Sequence, residues 1–267
     1  MRLWIVGILL AVGLQAGQVM LSTTTSTDHT GLLDALAPAF EADTGVRLRW
    51  VAVGSGQALA LGRGCDVDAV LTHDPHQEDA FESGGYGIDR TAVMHNDFVI
   101  VAPKALVQPL ADRRAVEVFE YARQNRLPFI SRGDRSGTHA KELWLWDQSA
   151  AGRPQPRRDT NWYFEVGQGM IESLILAQER GAMALTDRGT YLKYRDTRGE
   201  SPRTLAIVHE GDGALKNPYT LMAVNPEKCP DSRYQAAKVL MEWFASDTAR
   251  AQIAAFRLLN QPLFFVE

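Results

Sequence analysis

Short strand-like runs alternate with amphipathic helical stripes along nearly the whole chain, and this alternation limits the fold more than any single motif does. Val19-Met20-Leu21-Ser22 reads as a strand, residues 31–42 set Leu32, Leu33, Leu36 and Phe40 on one helical stripe, and residues 46–53 form a strand with Leu48, Trp50 and Ala52 on one face. Gly54-Ser55-Gly56 opens a second helix over 57–61, residues 67–71 make a buried strand, and residues 95–102 make a longer one ended by Pro103. Beyond Pro103 the pattern restarts. A helix is predicted over 116–124, a strand at Pro128-Phe129-Ile130, a helix over 140–146, a surface loop over 153–159 and a helix over 170–180. Strands at 182–186 and 205–208 follow; Asn217-Pro218-Tyr219 leads into a strand over 220–224, and one amphipathic helix over 234–256 closes the chain. Strands and helices in this order predict an α/β fold.

The first residues predict the compartment. Met1-Arg2, an apolar run over 3–13 and the small residues Ala16 and Gly17 have the order of a secretory signal peptide, assigned here to residues 1–17. That run is too short to span a bilayer comfortably, no later stretch reaches about 18 apolar residues, and no Cys follows it to carry a lipid, so a soluble, periplasmic protein is expected. About 250 residues then remain, a size at which one core gives way to two lobes. The predicted division puts 18–102 and 219–267 in a discontinuous lobe I and 103–218 in an inserted lobe II, with crossovers near Pro103 and Pro218 forming a hinge.

Charge and cysteine usage narrow the partners. A net charge of −4 argues against nucleic acid or an anionic membrane, although an anion site needs only local dipoles and guanidiniums. The six histidines are scattered and neither Cys has a neighbour at ligand spacing, so no metal cation and no cofactor are expected. Cys65 and Cys229 leave two readings open, one disulfide in an exported protein or two free thiols.

Chemistry concentrates in Ser131-Arg132-Gly133-Asp134-Arg135-Ser136-Gly137-Thr138-His139, hydroxyls and guanidiniums set in a strand-to-helix turn. Unpaired N–H groups at the helix start would point out of such a turn, as an oxyanion site requires. Ser22-Thr23-Thr24-Thr25-Ser26-Thr27 has the same placing after the first strand, and Gly54-Ser55-Gly56 after the second. Plainer readings stand beside these: a helix cap for the hydroxyl run, an ordinary turn at Ser55, and an Arg132–Asp134 ion pair. Asp134, Ser136 and His139 include the residue types of a hydrolytic triad, but one turn cannot give them nucleophile–base–orienter geometry, and no nucleophile elbow is present, so no enzyme is expected. Trp144, Trp146, Trp162 and Trp243 read as packing, and His139 as a helix-start residue. A sugar or peptide site would favour exposed aromatics over such turns.

These motifs, together with Thr186-Asp187-Arg188-Gly189-Thr190-Tyr191 and the Asn217-Pro218-Tyr219-Thr220-Leu221-Met222-Ala223-Val224-Asn225-Pro226 stretch, resemble the tungstate-binding periplasmic components of Tup-type ABC importers. The resemblance runs in order over nearly the whole chain. It implies a type II periplasmic binding protein with two α/β lobes, a two-strand hinge, an oxyanion in the cleft, and a permease–ATPase complex as partner of a monomer. The ligand groups it implies are Thr23, Thr24, Thr25, Ser26, Ser55, Arg132, Ser136, Gly137 and Thr138. Molybdate has the same charge and shape as tungstate. Phosphate or sulfate is a further alternative, because a site for protonated phosphate benefits from a carboxylate acceptor such as Asp134.

Overall fold

A computed structural model describes residues 17–197 and 205–266; the signal peptide expected at 1–17 lies outside them except for Gly17. Nine strands carry the architecture: β1 (Gln18–Thr24), β2 (Arg47–Val53), β3 (Ala69–Thr72), β4 (Gly87–Pro103), β5 (Phe129–Ser131), β6 (Tyr163–Glu165), β7 (Met183–Asp187), β8 (Leu205–His209) and β9 (Lys216–Val224). They follow one hydrogen-bonded path, β2-β1-β3-β9-β4-β7-β5-β6, with β8 also on β4. β1 pairs in parallel with β2 and β3, and β5 with β6 and β7, whereas β4 and β9 run antiparallel to their neighbours.

β4 serves two sheets. Its residues 87–97 pair with β9, and Phe98 to Pro103 pair with β7 and β8. Sheet membership therefore changes between Asp97 and Phe98, before the expected crossover at Pro103. On the return, β9 already belongs to the first sheet at Lys216, and Pro218 lies inside the strand rather than in a connection before it. β3 joins β9 only from Thr220 onward, so one edge of β9 at Pro218 carries no ladder, the kind of position where proline is tolerated.

Each sheet is covered by its own apolar clusters. Val19, Leu21, Leu32, Leu36, Phe40, Leu221, Leu240 and Phe244 pack on the first; Phe98, Ile100, Phe119, Phe129, Trp146 and Met183 pack on the second. Of the four tryptophans assigned to packing, Trp146, Trp162 and Trp243 are buried and Trp144 is exposed. The long terminal helix expected over 234–256 is two helices, Tyr234–Ala245 and Asp247–Ala255. Ser246 breaks it, because its extended backbone and a hydroxyl that accepts the Ala249 N–H make it an N-cap.

Cys65 and Cys229 form a disulfide across a separation of 164 residues, next to Leu59, Val70, Phe81 and Met222. It joins the end of the helix Ser55–Arg63 to the segment after β9. Among the described residues, no helix is long and apolar enough to cross a membrane.

Candidate functional site

Helices that begin at strand ends converge on one cavity of about 480 Å³. From the first sheet come Thr24, which caps the single turn Thr25–Asp28, and Gly54, which precedes Ser55–Arg63. From the second come Ser136, which caps Gly137–Gln148, and Gly169, which precedes Met170–Arg180. Gly54 and Gly169 have no side chain with which to cap, so the first N–H groups of their helices remain as donors. The partial positive charge at such helix starts adds to this donor character.

Thr24, Thr25, Ser26, Ser55, Arg132, Ser136, Gly137 and Thr138 all line the cavity, and Thr23 does not. The reason is strand alternation. β1 runs on through Thr24 rather than ending at Ser22, and Thr23 points into the fold, where its hydroxyl donates to the Leu71 carbonyl at 3.0 Å. Ser22 likewise donates to the Ala58 carbonyl at 2.9 Å. The expectation that Thr23 contacts the ligand is therefore corrected: it anchors β1 to β3.

The Arg132 to Thr138 turn is shaped for close approach. Gly133 has φ +61°, and a Cβ there would lie 2.8 Å from Glu165 Cβ. Arg135 also adopts a left-handed φ of +61°, held by its N–H donating to His139 Nδ1 at 3.1 Å, which places His139 as a turn support. The Arg132 guanidinium pairs with Asp134, as the plainer reading had it, yet it also lines the cavity, and its buried Nε has no hydrogen-bond partner. Burial pushes the Asp134 carboxyl up, but the Ser136 hydroxyl and N–H and the Arg132 guanidinium outweigh it and hold the group below the usual range. Asp134 lines the cavity. Two further carboxylates line the wall, Glu172 and Asp187, and Asp187 accepts from the Thr190 N–H at 2.8 Å and hydroxyl at 2.6 Å.

Sequence reasoning missed several lining residues, among them Gly169, Glu172, His73 and Asn217. Gly169 lies in the stretch Gly167-Gln168-Gly169, a glycine signal of the same kind as Gly54. His73 gives no local signal and Asn217 stands only in the stretch that carries the resemblance, because their meeting depends on the β3–β9 pairing next to them. His73 Nδ1 lies 3.1 Å from Asn217 Oδ1, and Nε2 lies 3.2 Å from both Thr24 Oγ1 and Ser26 Oγ. Burial lowers the His73 pKa, against the raising effects of Asp187, Asn217, Glu78 and Asp74.

Behind the turn, Glu142 is buried and accepts from the Tyr163 hydroxyl at 2.8 Å and the Trp146 indole at 3.0 Å. Burial pushes its carboxyl up to about 7. The folded state therefore keeps a proton that the unfolded chain releases near the ordinary value of about 4.3, and stability falls as pH rises between the two. Glu142→Gln should flatten that slope, worth on the order of 1–2 kcal/mol between about pH 5 and 7 once local relaxation is allowed for. Urea unfolding of both proteins across this range checks it; an unchanged slope would place the titration elsewhere.

The PBP superfamily domain matches residues 13–248. The tungstate-binding protein TupA of Campylobacter jejuni is 45% identical over 242 residues, covering 91% of this chain and 88% of that protein. The TupA of Peptoclostridium acidaminophilum is 39% identical over 254 residues, covering 93% and 85%. Among solved structures, the tungstate-binding protein TupA of Desulfovibrio alaskensis superposes with a TM-score of 0.87 at 42% identity, covering 94% of this chain and 99% of that one. The extent of these matches and the shared two-sheet architecture lead to one assignment: the chain belongs to the PBP superfamily and, within it, to the family of TupA tungstate-binding proteins.

Proposed function

We propose that this protein is the extracytoplasmic substrate-binding component of an ABC importer, that it binds tungstate one-to-one, and that it delivers the anion to a permease–ATPase complex. One observation carries the reading: helix starts from both sheets meet at one cavity whose wall includes a guanidinium with an unpartnered Nε. The names of the relatives support the choice of anion.

Thr24, Thr25, Ser26 and Ser55 would grip the ligand from the first sheet, and Arg132, Ser136, Gly137 and Thr138 from the second. A fully deprotonated tetrahedral dianion needs donors alone. Hydrogenphosphate brings a proton that wants an acceptor; of the three carboxylates in the wall, Asp134 and Asp187 already accept from Arg132, Ser136 and Thr190, and Glu172 is the acceptor such an ion would use, so the choice of tungstate over phosphate rests on the relatives. Charge and shape do not separate tungstate from molybdate.

The lobes in this reading divide where sheet membership changes, at 97/98 and before Lys216, with β4 and the segment leading into β9 as the hinge. A ligand held from both sides favours the closed arrangement by its differential affinity. Titration calorimetry of desalted protein with tungstate, molybdate, sulfate and phosphate tests the function. Tungstate should bind one-to-one and more tightly than sulfate or phosphate, and at a hundredfold excess over Kd it should stabilise the fold by about 2.7 kcal/mol. Tighter sulfate or phosphate binding would overturn the assignment. Activity on a panel of ester and peptide substrates would contradict a binding role without catalysis.

A further inference from the structure

His73 occupies the seam of the cavity, and donor counting alone gives it no task. Its ring lies against Tyr219, tilted by 30° with centroids 4.7 Å apart, and a Cβ at Gly137, across the cavity, would lie 3.5 Å from its Cε1. Asn217 Nδ2 donates to Asn96 Oδ1 at 2.7 Å, and Asn96 Nδ2 donates to the Tyr219 hydroxyl at 3.1 Å. With the amides in this orientation, Asn217 Oδ1 accepts from His73 Nδ1–H, and the neutral ring presents a lone pair at Nε2.

That lone pair faces Thr24 Oγ1 and Ser26 Oγ, two of the hydroxyls expected to serve the anion. Each hydroxyl has a single proton. Thr24 Oγ1 is also 2.7 Å from Thr27 Oγ1 and 3.0 Å from Ser26 Oγ, and it accepts the Thr27 N–H. A proton donated to the imidazole is withheld from the ligand. Protonation of Nε2 reverses the polarity: the ring donates to a hydroxyl oxygen, that hydroxyl's proton turns to the cavity, and a positive charge joins the wall.

Resting on the oxyanion reading of this site, we propose that His73 is a positioning residue that sets the donor direction of Thr24 and Ser26, and that binding of the dianion is coupled to uptake of a proton from solvent at His73 Nε2. The groups facing the ring are Asp187 on β7, Asp74 and Glu78 at the helix Pro75–Ser83, and Tyr219 on β9; His29, Arg135 and Glu172 line the same cavity, as do Arg132 and Asp134, which form an ion pair. Burial lowers the ring's pKa, against the raising effect of the carboxylates of Asp187, Glu78 and Asp74, and a dianion adds its charge to theirs in favour of the protonated form. Affinity then rises as pH falls, by at most about tenfold per pH unit for one coupled proton.

Calorimetry with micromolar tungstate at about pH 6.5, 7.5 and 8.5, in two buffers of different ionisation enthalpy, reads the coupling. The wild-type enthalpy should depend on the buffer, with up to one proton taken up per anion, and Kd should tighten about threefold to tenfold from the highest pH to the lowest. His73→Gln keeps a polar group near Nε2 without titrating, and His73→Asn keeps a donor towards Asn217; both should still bind tungstate but lose the uptake and flatten the profile. Tungstate binding with a buffer-independent enthalpy in the wild type would overturn the proposal. So would uptake that persists in both variants, which would pass the proton to another group such as His139. If neither variant folds, nitrogen NMR of the wild-type ring still decides: an Nε2–H tautomer in ligand-free protein would overturn it. Absence of any tungstate binding by the wild type would instead remove the oxyanion reading itself, and this proposal with it.

Discussion

Arg132→Ala should weaken tungstate binding by about 2–5 kcal/mol, roughly thirtyfold to several thousandfold in Kd, without unfolding the protein. Two effects act together. The substitution removes a charge-assisted fork of donors whose Nε has no protein partner. It also leaves Asp134, held ionised by the Ser136 hydroxyl and N–H, as an uncompensated negative charge in the wall of an anion site. Arg132→Lys should fall between, because an ammonium keeps the charge and loses the planar fork. Calorimetry on both variants, with a thermal melt to confirm folding, gives the answer. An unchanged Kd would remove Arg132 from the site.

The second large effect concerns the fold. Replacing Cys65 and Cys229 together with Ala should lower the unfolding free energy by about 3–5 kcal/mol. The bridge closes a loop of 164 residues that contains the whole second sheet, so its loss frees a large denatured ensemble, and the truncated Cys229 side chain leaves a small void among Leu59, Val70 and Phe81. Urea unfolding, with chemically reduced wild type as a second comparison, measures it. A loss below about 1 kcal/mol would mean that the β3–β9 pairing alone holds the ends of the chain together.

Much of this molecule is legible in one dimension, and the parts that are not share a cause. The helix stripe Leu32, Leu33, Leu36 and Phe40 is buried as its spacing implies, and the helix Met170–Arg180 has the bounds that periodicity predicts. The Arg132 to Thr138 turn and the Ser55 turn do meet at one cavity, because hydroxyls and glycines at strand-to-helix turns form a local signal. Thr23 is misplaced because a run of β-prone hydroxyl residues conceals that β1 continues through Thr24, and successive side chains of a strand point to opposite faces. β4 is much longer than expected, since Asp89, Arg90 and Thr91 interrupt its apolar pattern where the strand is irregular and partly exposed. β6 is only three residues long and carries no alternation to detect. His73 and Asn217 lie 144 residues apart and meet through strand order, which no window of sequence contains.

The central claim is that one oxyanion is held from both sheets at once, and tungsten anomalous scattering from crystals grown with tungstate tests it most directly. The account predicts a single strong peak in the cavity, within hydrogen-bonding distance of the Thr24 to Ser26 turn or Ser55 on one side and of Arg132 and the Ser136 to Thr138 helix start on the other. A peak outside this cavity, or one touching groups of a single sheet only, would contradict it.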